Sequence, residues 1–114
     1  MGIYVRSKSE VIIANLLHDA GIEFIYERRF DTETGWRLPD FSIATGADEI
    51  IILEHLGMLH KPSYREEWEK KKVFYEKHGY NLGENLFITT EDENGAINSE
   101  AISNEVITKI KSLI

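Results

Sequence analysis

Apolar and polar positions alternate along this chain with two periods, and the places where the period changes mark the elements. From Lys8 to about Asp19 the apolar residues recur at helical spacing, with Ile13, Ala14 and Leu17 on one face. Ser7 is placed to cap the start of this helix, and Gly21 to end it. Residues 22–29 alternate, with Phe24, Tyr26 and Arg28 on one side and Ile25 and Glu27 on the other, which predicts a strand. Residues 31–35 (Asp-Thr-Glu-Thr-Gly) form a turn, and residues 36–43 are expected to return as the hairpin partner. Pro39 lies inside that second strand and removes a ladder donor, so a bulge or an irregular edge is expected there. Residues 45–48 turn the chain again. Residues 49–55 are the most apolar stretch and predict a central strand.

The second half of the chain returns to helical spacing. Residues 57–62 connect to a long helix over about 63–78, stopped by Gly79. Residues 85–89 predict a short strand. Residues 91–98 are a polar loop turning at Asn94-Gly95, and residues 99–113 a final amphipathic helix carrying Ile102, Val106, Ile110 and Leu113. The order helix, three strands, helix, strand, helix (αβββαβα) implies one α/β domain spanning residues 1–114. Its mixed four-stranded sheet would be flanked by helices on both faces. No repeat, linker or low-complexity tract interrupts it.

Three acids break this pattern. Asp40 lies in Leu38-Pro39-Asp40-Phe41-Ser42-Ile43, Glu54 closes the apolar run 50–53, and Glu10 lies on the apolar face of the first helix. A carboxylate placed in such surroundings is costly without a partner. Three of them point to one shared partner, and a hard divalent cation with oxygen ligands is the simplest. Each acid also has a purely structural account. Ser7-x-x-Glu10 fits a capping box, Pro39-Asp40 fits a turn, and Glu54 could reach solvent at its strand end. Convergence of Asp40 and Glu54 at one end of neighbouring strands would favour the metal, because close carboxylates repel unless a cation is bound or one is protonated.

Lys71 is the cation of this pattern. On the long helix Tyr64, Trp68, Lys71 and Tyr75 share a stripe, with the lysine in the middle of an aromatic face. Its stem could snorkel past the rings, or its ammonium could enter the carboxylate cluster and offset charge on a phosphate. His55 is expected to face away from Glu54 and to be structural. His18, His60 and His78 have no metal-ligand spacing.

The formal net charge of −7 argues against a protein that coats nucleic acid, but not against an enzyme that cuts it, since a site built of carboxylates is itself acidic. Part of the excess lies in the run Glu91-Asp92-Glu93. Basic residues are local: Lys8, Arg28, Arg29 and Arg37, and the run Lys70-Lys71-Lys72. With no cysteine there is neither a disulfide nor a thiolate metal site. No membrane-length apolar run and no signal-peptide pattern is present, so the cytoplasm is the expected compartment.

Glu10 on a helix, Pro39-Asp40 in a strand and Glu54 ending the next strand resemble the PD-(D/E)XK (restriction-endonuclease-like) nuclease superfamily. Four blocks carry a closer likeness: Arg6-Ser7-Lys8-Ser9-Glu10, Arg37-Leu38-Pro39-Asp40-Phe41, Glu54-His55-Leu56-Gly57-Met58 and Trp68-x-x-Lys71-x-x-x-Tyr75. They are similar to a nuclease-like domain found in some bacterial helicases of the DNA-repair type. The resemblance implies that Asp40 and Glu54 bind Mg2+ or Mn2+ with Glu10 completing the shell. It further implies hydrolysis of DNA phosphodiesters and a helicase as partner or parent chain. Lys8, Arg28, Arg29 and Arg37 would contact the DNA backbone, giving weak sequence specificity. The chain departs from the pattern at Leu56, where the superfamily has its lysine; Lys71, from the following helix, is the candidate replacement. Without Lys71 in the site, the resemblance would imply an inactive module for DNA binding or docking to a helicase.

Overall fold

The computed structural model describes residues 7–92 and 94–114. Arg6 of the first block and Glu93 of the acidic run lie outside the described residues. The elements are α1 (Lys8–Asp19), β1 (Ile25–Tyr26), β2 (Phe30–Thr32), β3 (Gly35–Arg37), β4 (Phe41–Ala44), β5 (Ile50–Leu56), α2 (Pro62–Lys77) and β6 (Leu86–Thr90). A helical segment then begins with α3 (Ser99–Ala101), widens into a π-helical stretch (Ile102–Ile107) and closes as α4 (Thr108–Ser112).

Four strands form one mixed sheet in the order β1-β4-β5-β6. β1 and β5 pair with β4 antiparallel, and β6 joins β5 in parallel through the α2 crossover. The expected α/β class and mixed four-stranded sheet are therefore present, with β5 in the interior of the sheet. Side-chain alternation along β5 divides the core. Ile51 and Leu53 pack with Ile13, Leu17, Ile102 and Ile110 on the face covered by α1 and the last helix; Ile52 and Leu56 pack with Trp68 and Tyr75 of α2 on the other. That parity puts Glu54 on the α2 face.

The expected long hairpin is broken in two. Strand 22–29 shrinks to β1, and strand 36–43 splits into β3 and β4, with β2 and β3 forming a separate two-stranded sheet. Both limbs fail at one level. On one limb Glu27 takes a left-handed backbone (φ 52°), rare for a residue with a side chain. On the other limb stands the buried Pro39, which offers no amide hydrogen to a ladder. The Glu27 amide donates to the Asp40 carbonyl at 3.0 Å, which closes the break. The Asp31 and Thr32 positions expected in the turn belong instead to β2, paired with Trp36 and Gly35.

The helix ends follow the capping chemistry. The Ser7 hydroxyl accepts from the Glu10 amide at 3.2 Å, and Gly21 and Gly79 have φ of +73° and +87° just beyond the first two helices. α2 begins at Pro62, one residue before the expected start, with proline in the first turn, where its missing amide hydrogen costs no helical bond. In the last helix the expected stripe shifts: Ile102, Ile107 and Ile110 are buried, Val106 only in part, and Leu113 is 44% exposed. The π-helical stretch explains it, since a widened turn brings residues five apart onto one side.

Candidate metal and phosphate site

The site lies where β1 ends, β4 begins and β5 runs on past β4. Asp40 immediately precedes β4, held by the buried Pro39 before it and the fully buried Phe41 after it. Its Oδ2 accepts from the His55 amide at 2.7 Å, and its own amide donates to Glu54 Oε1 at 3.3 Å. The two strand-end acids are thus coupled, Glu54 through the Asp40 amide and Asp40 through the amide of His55, the residue after Glu54. Burial, then the charge of Glu54, pushes the Asp40 carboxyl up to about 7.

Glu54 is 2% exposed and faces α2. Its Oε2 accepts from the Lys71 ammonium at 2.8 Å, and its Oε1 from the Tyr75 hydroxyl at 2.8 Å. Lys71 also donates to the Leu38 carbonyl at 3.0 Å, two residues from Asp40. Burial raises the Glu54 carboxyl against the opposing pull of Lys71, Tyr75 and the Asp40 amide. The phenol of Tyr75 is raised by burial and by the neighbouring Glu54 charge, so it acts as a donor only. The aromatic stripe of α2 is present as expected: Trp68 and Tyr75 are buried, Tyr64 packs against the same cluster, and Lys71 emerges between them at the site. Phe74, outside that stripe, is buried as well, and Arg37 lies over its ring at 4.6 Å.

Glu10 pairs with Ser7 at the helix start, though its carboxylate meets the Ser7 hydroxyl and not the backbone amide of a capping box. Its amide is capped by Ser7, while its carboxylate accepts from the Ser7 hydroxyl at 2.8 Å and from the Tyr26 hydroxyl at 3.0 Å. One oxygen each from Glu10, Glu27 and Asp40 lie within 4.8 Å of one another, and all three residues are partly buried. Hard carboxylate oxygens at this spacing, including one carboxyl whose charge is disfavoured by burial, fit a divalent cation such as Mg2+ or Mn2+. Glu54 is not a member of this group; both its oxygens are engaged by Lys71, Tyr75 and the Asp40 amide.

Glu27 is the member that strand alternation hides. A regular strand sends Tyr26 and Glu27 to opposite faces, but the left-handed backbone at Glu27 turns its carboxylate toward Glu10 and Asp40 while Tyr26 reaches Glu10 as well. Only the break expected near Pro39, one residue from the Asp40 that faces Glu27, offered a sequence signal.

Of the basic residues, Lys8, Arg28 and Arg29 are exposed. Arg29 bonds Asp31 at 2.7 Å and lies over the Trp36 ring at 4.5 Å, and Arg37 donates to the Trp36 carbonyl at 2.8 Å. Arg28 borders Ser42 and Ile50, toward the opposite end of β4 and β5 from Asp40. His55 faces away from Glu54, as expected. Its ring bonds Thr89 at 2.8 Å and Glu91 at 2.9 Å, and Glu91 also accepts from Ser9 at 2.5 Å. Burial alone would raise the Glu91 carboxyl, but the Ser9 and His55 hydrogen bonds outweigh it and hold the carboxyl low. This second network ties the start of α1 to the ends of β5 and β6, next to the acids.

No family model matches the chain. The uncharacterized protein MJ1519 of Methanocaldococcus jannaschii is 33% identical over 125 residues, which cover 98% of this chain and 10% of that protein. The chain thus spans about a tenth of the length of the curated relative it matches. Among the described residues no helix is long and apolar enough to cross a membrane.

Proposed function

We propose that this chain is a divalent-metal-dependent nuclease domain with a restriction-endonuclease-like core, hydrolysing DNA phosphodiesters with weak sequence specificity as part of a larger cytoplasmic DNA-processing protein. One observation carries the reading: Lys71, from the helix after β5, stands 2.8 Å from Glu54 and bonds the Leu38 carbonyl beside Asp40. The ammonium that Leu56 cannot supply is therefore present from another element. Glu10, Glu27 and Asp40 would hold Mg2+ or Mn2+, which supplies a Lewis acid and a water of lowered pKa. Glu54 and the Leu38 carbonyl hold Lys71 at the rim of this group, where its charge stabilises a phosphate as negative charge develops. Tyr75 and the Asp40 amide orient Glu54 in turn. Lys8 and Arg28, both exposed, are the side chains free to meet the DNA backbone.

The engagement of both Glu54 oxygens favours a second reading. In it the buried Glu54-Lys71-Tyr75 set is structural, and the fold serves for DNA binding or for docking to a helicase. Plasmid nicking separates the two. The nuclease reading expects Mg2+- or Mn2+-dependent nicking abolished by chelator, by Asp40→Asn and by Lys71→Met, with the folded state of Asp40→Asn unchanged by circular dichroism. Cleavage that persists in Asp40→Asn, or that the wild-type chain shows with neither metal on plasmid or single-stranded DNA, would refute it.

A further inference from the structure

A cleft of about 690 Å³ opens beside the carboxylates, between the β3–Leu38 segment and α2. Trp36, Leu38, Tyr64 and Trp68 form much of its wall, and Lys71 stands in both the cleft and the acid cluster. The volume is in the range of a small-ligand site. Trp36 is the unexplained residue. It belongs to neither core cluster and is 46% exposed, which is unusual for so large an apolar side chain. Its setting is nonetheless organised. Asp31 holds Arg29 at 2.7 Å, Arg29 lies over one face of the indole at 4.5 Å, and Arg37 bonds the Trp36 carbonyl. The β2–β3 hairpin thus presents an aromatic platform backed by a guanidinium.

Three cations, Arg29, Arg37 and Lys71, contact the walls of this cleft or the rings that form them. Glu67, the acid among the lining residues, is paired with Lys70 at 3.3 Å. A ligand with an aromatic face and an adjoining anion matches this arrangement, and a nucleotide of a nucleic-acid strand has both. In a duplex the faces of the bases are covered by their neighbours, so only an unpaired base can stack on a side chain.

We propose that the cleft takes an unpaired base, stacked on Trp36, from the strand whose phosphate is presented to Lys71. This rests on the nuclease reading and narrows its substrate class to single strands and frayed or flapped ends. Trp36 is on this account a specificity residue that touches the substrate away from the reacting atoms.

The test is binding of fluorescein-labelled (dT)12 and of a blunt 24-base-pair duplex, by anisotropy at low salt in EDTA, to the wild-type chain, Trp36→Ala and Trp36→Phe. The expected result is tighter binding of (dT)12 than of the duplex. Trp36→Ala should lose about tenfold or more on (dT)12 and nothing on the duplex, with Trp36→Phe close to wild type. Equal affinity of Trp36→Ala and wild type for (dT)12, or a duplex bound as tightly as the single strand, overturns the proposal. So does Trp36-dependent binding of a proline-rich peptide in place of (dT)12, which would assign the platform to a polypeptide. Because Trp36 is exposed, loss of fold is not expected, and melting curves of the three proteins verify it. Metal-dependent nicking with no effect of Trp36→Ala on (dT)12 rejects the cleft assignment alone. Trp36-dependent (dT)12 binding without cleavage of (dT)12 in Mg2+ or Mn2+ rejects the nuclease reading alone.

Discussion

Asp40→Asn should stabilise the metal-free protein above neutral pH, although it removes a residue central to the proposed chemistry. The Asp40 carboxyl is raised from 3.8 to about 7, chiefly by burial and then by Glu54. Between those values the folded chain binds more protons than the unfolded chain, so stability falls as pH rises through this window. The shift is roughly 3 units, or about 4 kcal/mol at most at full ionisation. Because Asp40 is only partly buried, screening by solvent reduces this to about 2 kcal/mol. Asparagine keeps an oxygen for the His55 amide and carries no charge, so it escapes the penalty. In chelator at pH 8 the variant should melt higher by on the order of 10 °C, and at pH 4 the two proteins should nearly coincide. Mn2+ at pH 8 should raise the wild-type melting temperature and narrow the gap. Thermal melts from pH 4 to 8, with and without chelator, measure all of this. A variant less stable than wild type at pH 8 by a margin independent of pH would refute the reasoning.

Lys71→Met leaves the buried Glu54 carboxylate without its cation and should cost about 3–5 kcal/mol at neutral pH, with the double change Lys71→Met, Glu54→Gln recovering part of it; urea melts read both. Tyr75→Phe removes one donor from the same carboxylate and should cost about 1–3 kcal/mol in the same assay, less than Lys71→Met. Glu27→Gln should weaken Mn2+ binding about tenfold or more by calorimetry while Glu23→Gln, an exposed neighbour outside the acid group, leaves it unchanged; equal affinities would remove Glu27 from the ligand set.

Helices, the mixed four-stranded sheet and the helix-borne lysine were legible because each rests on local chemistry. Ser7 and Gly21 bracket α1, and the alternation of 50–56 sorts Ile51 and Leu53 from Ile52 and Leu56 onto two cores. The stripe Tyr64, Trp68, Lys71, Tyr75 placed an ammonium among aromatics, and the fold directs it to Glu54. What alternation could not convey is where it stops. Pro39 announced a break in one strand, but the left-handed residue on the other limb, across from Asp40, was a glutamate, not a glycine, so Glu27 read as an ordinary strand position. That single backbone angle decides which acids surround Asp40. It also frees β2 and β3 to carry Trp36 away from the core and into the cleft. The π-helical turn is a similar case: the buried pair Ile102 and Ile107 has a spacing that no regular helix rewards.

Crystals grown with Mn2+ and measured at the manganese absorption edge would locate the cation. An anomalous peak is expected within coordination distance of Glu10, Glu27 and Asp40, with the Lys71 ammonium still paired to Glu54 at its rim. A chain that crystallises in saturating Mn2+ with no peak there, or with its manganese on acids remote from Asp40, would contradict it.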